Sequence, residues 1–332
     1  MMDITQRIDA VTKIDDVRIR MRGIQPPPKS VKIELTARCN LLCKYCATSM
    51  RKNQPIKDMD FNFFKKITEE MRICGVEEIG LFYLGEPFMN PKLLIDATEW
   101  VKKGLRFPYV FLTSNATLAT DFLVKRLMEL GLDSLKWSVN FADEEQFKNI
   151  TNSKIEYFHC ALQNIKDAKK IRDDGEYKTI LSASSILYNK EQKKKMDVFL
   201  KKNIIPYVDR HYWLPLYQMS MYKEYIKRIM GYIPTAGNMG RLDDRTLQPT
   251  RKPLPCWSAF TEGHVRVDGG LSACCFGADD KFDMGILNGN NFMKCWNSDK
   301  FQHLREAQLA TLDNGQEALK GTPCEVCITY YT

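Results

Sequence analysis

The stretch "LTARCNLLCKYCATS", Leu35 to Ser49, carries Cys39, Cys43 and Cys46 in the spacing C-x3-C-x2-C. A closed metal site wants a fourth thiolate, and the neighbouring sequence offers none. Iron–sulfur clusters are normally held by four cysteine thiolates. Three on one loop would hold a [4Fe–4S] cluster and leave one iron without a protein ligand, free to take a chelating molecule. A zinc site and reactive free thiols are the alternatives, although zinc favours closed four-ligand sites built from C-x2–4-C pairs. The loop comes directly after an apolar run, "VKIEL" (31–35), that reads as a buried strand. Ligands in α/β folds collect at the carboxyl ends of such strands.

The same rhythm repeats downstream. "EEIGLFYL" (77–84), "YVFLTSN" (109–115), "LKWSVN" (135–140), "TILSASSIL" (179–187) and "PYVDRHYWL" (206–214) are further predicted strands. Helical patterns separate them. "DFNFFKKITEEMRICG" puts Phe64, Ile67, Met71 and Cys74 on one face, with Gly75 as a stop. "TDFLVKRLMELG" (120–131) and "YFHCALQNIKDAKKI" (157–171) continue the pattern. Parallel strands need crossover connections, so six β–α units predict a parallel sheet, either an open partial barrel or a doubly wound one.

Ahead of the first strand, "QPPPKS" (25–30) breaks the chain after a predicted N-terminal helix. Residues 216–254 lose the rhythm and read as a linker or cap. "HVRVDGGLSACC" (264–275) reads as a hairpin around Asp268-Gly269-Gly270. Ser298 is placed to cap a helix that turns Phe301, Leu304 and Leu309 inward. The expected division is a helical extension (1–28), a core (29–215), the linker or cap (216–254) and a cysteine-bearing C-terminal domain (255–332).

The chain has 332 residues, 44% of them hydrophobic, enough for a substantial core. Its formal charge of +8 is dispersed. The densest basic stretch, "NKEQKKKMDVFLKK" (189–202), interleaves Met196, Phe199 and Leu200 at helical spacing, which reads as a solvated helix face and argues against a nucleic-acid patch. The amino terminus is too polar for a secretory signal, and no apolar run approaches the roughly 18 residues that span a bilayer. A cytoplasmic protein is expected. Eleven cysteines in that reducing compartment point to metal or redox chemistry over disulfides.

"CNLLCKYC" resembles the C-x3-C-x-aromatic-C signature of radical S-adenosylmethionine (SAM) enzymes, with Tyr45 in the aromatic slot. The resemblance implies a partial (β/α)6 TIM barrel, and a [4Fe–4S] cluster on Cys39, Cys43 and Cys46 whose open iron is chelated by SAM. It further implies reductive cleavage of SAM to a 5′-deoxyadenosyl radical that abstracts a substrate hydrogen atom. "YLGEPFMNPKL" (83–93) resembles the family's G-G-E-P segment, which would bring Gly85 and Glu86 to SAM's amino group; Leu84 replaces the first glycine. "LTSNAT" (112–117), with Asn115, resembles the segment after strand three. "WSVNFADEEQFKNI" resembles the segment after strand four and would turn Ser138 and Asn140 to SAM, with Asn140 where Asp is usual. Ser184 holds a position where a polar contact to SAM is common.

The C-terminal segment resembles the family's SPASM and twitch extensions. Cys256, Gly269 and Cys274 match their opening C-x9–15-G-x4-C, and "DMGILNGNNFMKCWNSDKFQHLR" resembles the next stretch of those extensions. The chain stops five residues after Cys327, like the shorter twitch form with one auxiliary [4Fe–4S] cluster. Its implied ligands are Cys256, Cys274, Cys324 and Cys327, with Cys275 as an alternative register through Gly270. A structural zinc is the alternative metal. Cys74 and Cys160 read as inert. Cys275 and Cys295 are candidate hydrogen donors, as in related epimerases, with buried packing before Trp296 as the other reading of Cys295. His211, near Tyr212 and Trp213, is a candidate substrate contact, with a surface or packing role as its other reading.

Two enzymatic outcomes share this initiation. One is two-electron oxidation (dehydrogenation) of a small sugar- or aminocyclitol-like molecule, with the auxiliary cluster taking the second electron. The other is epimerisation or peptide maturation. Only about 30 residues precede the barrel, which favours a small molecule. A flavodoxin- or ferredoxin-type reductant would supply the electrons. An iron–sulfur electron carrier or an RNA-binding protein is the reading of another class; a carrier would not need "LGEP" or the six-unit scaffold.

Overall fold

In a computed structural model, the residues described are 24–46, 48, 57–216, 227, 228, 230–232, 240–250, 255–275 and 280–325. The expected N-terminal helix, most of the expected linker or cap, and Cys327 lie outside them. Strands β1 (Ser30–Ile33), β2 (Glu78–Gly80), β3 (Tyr109–Ser114), β4 (Ser134–Ser138), β5 (Ile180–Leu187) and β6 (Arg210–Pro215) succeed one another across a parallel sheet. Helices supply the crossovers: α1 (Phe61–Cys74), α2 (Pro91–Glu99), α3 (Asp121–Glu129), α4 (Glu144–Thr151), α5 (Glu156–Asp174) and α6 (Lys190–Asn203). This is the expected open (β/α)6 barrel.

The helix ends are set by their residues. Asp60 accepts from Phe63 N at the start of α1, and Gly75 ends it at φ 100, a left-handed conformation that costs glycine little. Along α1, Phe64, Ile67, Thr68 and Met71 are buried, while Cys74 is only half-buried. Cys160, on α5, is exposed.

C-terminal to the barrel lie α7 (Ser258–Thr261), β7 (Glu262–Val265), β8 (Gly270–Ser272), β9 (Asp283–Ile286), α8 (Phe292–Trp296) and α9 (Asp299–Asn314). The hairpin does not stand apart from the barrel. Strand β7 pairs in parallel with β1, so one nine-stranded sheet runs β6-β5-β4-β3-β2-β1-β7-β8-β9. Gly269 makes its turn at φ 91. Ser298 accepts from Phe301 N at the start of α9, as its position suggested. The helix buries Phe301 and Leu304, but Leu309 is only half-buried and Gln308 takes the inner place. Trp296 Nε1 donates to Pro26 O at 2.8 Å, and Asn297 Oδ1 accepts from Gln25 N at 2.8 Å, so the "QPPPKS" break is clasped by the end of α8.

Alternation along each strand sorts the sheet into two faces. Val31, Ile33, Ile79, Val110, Leu112, Leu135, Trp137, Leu181 and Ala183 pack under the helices in the main core. The concave face is polar: Lys32, Glu78, Ser134, Lys136, Ser182, Ser184, Glu262 and His264, around a separate aromatic group of Tyr109, Phe111 and Phe82. Lys32 Nζ lies 2.6 Å from Glu262 Oε2, joining β1 to β7 inside the barrel. Burial would raise the Glu262 carboxyl, but the Lys32 ammonium and His264 outweigh it and hold it down, to about 2.

Lys32→Met strands that carboxylate in the interior, and an orphaned buried partner typically costs about 3–5 kcal/mol. Denaturant unfolding of the variant is expected to show a loss of that order at pH 7. The pair contributes fully above the ordinary glutamate range, and its contribution fades as pH falls from about 4.5 towards 2. The gap between wild type and variant is therefore expected to close in acid.

Candidate functional site

After β2 the chain leaves the sheet at Phe82 and turns through Leu84-Gly85-Glu86 onto the residues just ahead of Cys39. Glu86 N donates to Arg38 O at 2.8 Å, and Thr48 Oγ1 donates to Leu84 O at 2.9 Å. A Cβ on Gly85 would stand 2.0 Å from Thr36 O and 2.8 Å from Arg38 O, so only glycine fits this crossing. The two loops are in effect locked backbone to backbone.

Glu86 is buried and accepts from Asn115 N at 2.8 Å, Ser114 Oγ at 2.9 Å and Phe88 N at 3.2 Å. Burial pushes its carboxyl up to about 7 despite those bonds. Asn115 Nδ2 donates to Asn40 Oδ1 at 3.0 Å and reaches Cys39 Sγ at 3.9 Å. The end of β3, the Glu86 loop and the first cysteine thus form one unit.

Cys39, Cys43 and Cys46 lie within electrostatic reach of one another. Burial, then Glu86 and Cys46, push the Cys39 thiol up to about 12; burial and the other two thiols push Cys43 up as well. With no cation these two thiols stay protonated, and a bound metal reverses that by deprotonating its thiol ligands. Three clustered thiols fit iron–sulfur ligation. Among the described residues, no three His, Cys, Asp or Glu side chains close on a single ion.

Tyr45 reaches the neighbouring strands. Its hydroxyl accepts from Asn140 Nδ2 at 2.5 Å, while Asn140 Oδ1 accepts from Ile186 N at 3.0 Å. Tyr188 donates to Asn140 O at 3.2 Å and stacks on Tyr232 with ring centroids 4.8 Å apart. Ser138 and Ser184 pair across β4 and β5 on the concave face. The structure therefore gathers Tyr45, Asn140, Ser138 and Ser184 at one end of the barrel, on strands neighbouring the Glu86–Asn115 unit.

The second cysteine group adjoins this end. Cys256 N donates to Gln308 Oε1 at 2.8 Å, tying its segment to α9, and Ser258 Oγ donates to Ala273 O at 3.4 Å, tying it to the Cys274 loop. Cys324 N donates to Thr322 Oγ1 at 3.2 Å beyond α9. Tyr83, which no sequence motif singles out, donates its hydroxyl to Cys274 O at 2.8 Å. Burial pushes the Tyr83 hydroxyl up, which keeps it a donor, and both Cys274 and Cys275 lie within its electrostatic reach. Its place two residues before Gly85 is the signal the sequence offers for it.

Other candidates lie elsewhere. Cys295 is buried on α8, its Sγ 3.6 Å from Ile286 O and against Gly285, where an added Cβ would stand 2.7 Å away. Its charged neighbours are Glu70 on α1 and Lys294, so it packs behind β9. His211 Nε2 sits 3.0 Å from Ser185 Oγ, edge-on to Trp213, with Lys193 and Asp197 of α6 nearby. That is the helix side of the sheet, so His211 does not reach into the barrel.

The sequence matches the Radical SAM superfamily over residues 33–183 and an iron–sulfur cluster-binding domain, SPASM, over residues 256–328. An uncharacterised protein of Methanocaldococcus jannaschii is 28% identical over 225 residues, 68% of this chain and 69% of that protein. The tungsten-containing aldehyde ferredoxin oxidoreductase cofactor-modifying protein of Pyrococcus furiosus is 26% identical over 54% of this chain, which spans about half (52%) of that relative. Among solved structures, BtrN in complex with AdoMet and 2-DOIA has a TM-score of 0.54 at 17% identity, covering 92% of this chain and 93% of BtrN. The anSMEcpe enzyme with bound AdoMet has a TM-score of 0.60 at 14% identity, covering 90% and 88%. At such identities the two structures show a shared fold. The chain therefore belongs to the radical SAM superfamily, with a C-terminal SPASM domain, and its cofactors are [4Fe–4S] clusters and S-adenosylmethionine.

Proposed function

We propose that this enzyme oxidises a small sugar- or aminocyclitol-like molecule by two electrons, acting in the cytoplasm with a flavodoxin- or ferredoxin-type reductant. The observation that carries this reading is the Tyr83–Cys274 hydrogen bond, which joins the auxiliary cysteine loop to the Gly85–Glu86 loop. When bound, SAM and the clusters supply a radical that removes a substrate hydrogen atom and a site for the second electron.

The residues have separate tasks. Cys39, Cys43 and Cys46 would hold the first cluster, and Cys256, Cys274, Cys324 and Cys327 the auxiliary one. Gly85, Glu86 and Asn115 would receive the polar end of SAM, with Tyr45, Ser138, Asn140 and Ser184 along the rest of it. Glu86 positions Asn115 and the first cysteine through its hydrogen bonds to the end of β3 and to Arg38.

Epimerisation or peptide maturation is the second reading, favoured by the half-buried Cys275 within reach of Tyr83, where it could return a hydrogen atom. A solved relative, SuiB of Streptococcus suis bound to its precursor peptide SuiA, shares the fold with a TM-score of 0.59. The packed environment of Cys295 makes it the weaker donor.

Product mass separates the readings. Oxidation is expected to give a product two hydrogens lighter; an unchanged mass with solvent deuterium uptake would replace it with epimerisation. Replacing Cys324 and Cys327 with serine is expected to lower iron per chain by roughly four atoms, one cubane cluster, and to stop product while SAM cleavage continues. Unchanged iron would contradict the auxiliary assignment.

A further inference from the structure

Among the described residues, the concave face of the barrel carries a cation with no protein partner. Lys136 lies in the middle of β4, two residues before Ser138 and on the same face. The sheet register places Thr113 of β3 and Ser182 of β5 directly beside it, and Arg210 of β6 beyond Ser182 in the same row. Lys136 is half-buried, and among the described residues its ammonium enters no hydrogen bond or ion pair. The other concave-face lysine, Lys32, is already matched by Glu262 at 2.6 Å.

The immediate neighbours of Lys136 on the flanking strands are polar and uncharged, and the one charged side chain that the register puts in its row, the exposed Arg210, is a second cation. Ser182 and Ser134 are each only 1% exposed, and the hydroxyl oxygen of each is buried without a hydrogen-bond partner. A buried hydroxyl lacking a partner is uncommon in a native protein, and two flank this lysine. A partly desolvated ammonium with no counter-charge is costly to keep. β4 lies inside the sheet, between β3 and β5, so the lysine cannot escape around an edge.

We propose that Lys136, with Ser182 and Ser134, binds an anionic group of the substrate, a carboxylate or a phosphate, in the barrel one layer below Ser138. This rests on the radical SAM reading only for calling the ligand a substrate. An ammonium donating to a carboxylate or phosphate makes a charge-assisted bond, and the two partnerless serine hydroxyls would add neutral donors once the ligand displaces the atoms that bury them. The row also explains a polarity that folding alone does not require of strands roofed by helices on their other face. It narrows the substrate to an acidic or phosphorylated molecule.

The test uses the full chain, anaerobically reconstituted, titrated calorimetrically with inorganic phosphate and separately with succinate; myo-inositol serves as the neutral control. Wild type is expected to bind at least one of the two anions and to favour it over inositol; which one binds distinguishes phosphate from carboxylate. Lys136→Met, which keeps the unbranched stem and removes the ammonium, is expected to weaken that binding roughly 10- to 100-fold. Lys136→Arg is expected to restore most of it, which separates charge from folding. Equal anion binding by wild type and the methionine variant would overturn the proposal, as would the absence of anion binding in wild type. SAM cleavage by the wild-type protein is measured alongside: its absence would sink the radical reading while leaving the anion result interpretable.

Discussion

Cys43→Ala is expected to reduce 5′-deoxyadenosine formation from SAM, under strong reductant and without air, to the level of a no-enzyme control. The central cysteine of the triad is half-buried. Its thiol is pushed up by burial and by Cys46 and Cys39, so it releases its proton to solvent only when a Lewis acid such as iron takes the sulfur as a ligand. Alanine at this position leaves two thiols, Cys39 and Cys46, which cannot hold a cubane with one open corner. Iron per chain should fall with activity, while the auxiliary cysteines keep their share. Retained nucleoside formation in this variant would mean that the loop at Cys39–Cys46 is not the site of SAM cleavage.

Gly85→Ala is expected to slow SAM cleavage by roughly 100-fold, the cost of displacing a catalytic constellation by about 1 Å. A methyl group at this position would sit 2.0 Å from the Thr36 carbonyl oxygen and 2.8 Å from that of Arg38. Both contacts are backbone and cannot rotate away. The loops must separate, breaking the 2.8 Å bond from Glu86 N to Arg38 O and shifting the carboxylate that receives Asn115 and Ser114. The strain is also expected to cost about 1–3 kcal/mol of stability, as overpacking does. Initial rates of nucleoside formation, paired with a denaturant melt, check both halves. A rate within a few-fold of wild type would show that the Gly85 crossing does not set the geometry of the site.

Much of the fold is legible in the chain itself. The six strand–helix repeats, the glycine stop at Gly75 and the cap at Ser298 obey local rules, and the structure bears them out. Departures occur where tertiary contacts take over. "EEIGLFYL" reads as one long strand, yet β2 ends at Gly80 because the chain must leave the sheet to bring Gly85 over Thr36 and Arg38. "PYVDRHYWL" starts its strand only at Arg210, since Ile205–Tyr207 forms a short 3-10 turn around Pro206.

The site divides in the same way. Cysteine spacing is a local signal, so the first triad can be read directly. The Tyr83–Cys274 bond spans 191 positions and the Lys32–Glu262 pair 230, and no short window of sequence contains either. Cys295 and His211 look chemically interesting by type, but which face of an element they occupy is decided by packing. Lys136 is invisible for the opposite reason. One lysine in an apolar-polar alternation looks like ordinary surface until the register shows that the polar face lines the inside of an open barrel.

Electron paramagnetic resonance of the dithionite-reduced, anaerobically reconstituted protein tests the central claim most directly. Adding SAM is expected to shift the signal of the cluster proposed on Cys39, Cys43 and Cys46, because the nucleotide would enter the coordination of the iron that three cysteines would leave open. A spectrum identical with and without SAM would contradict it.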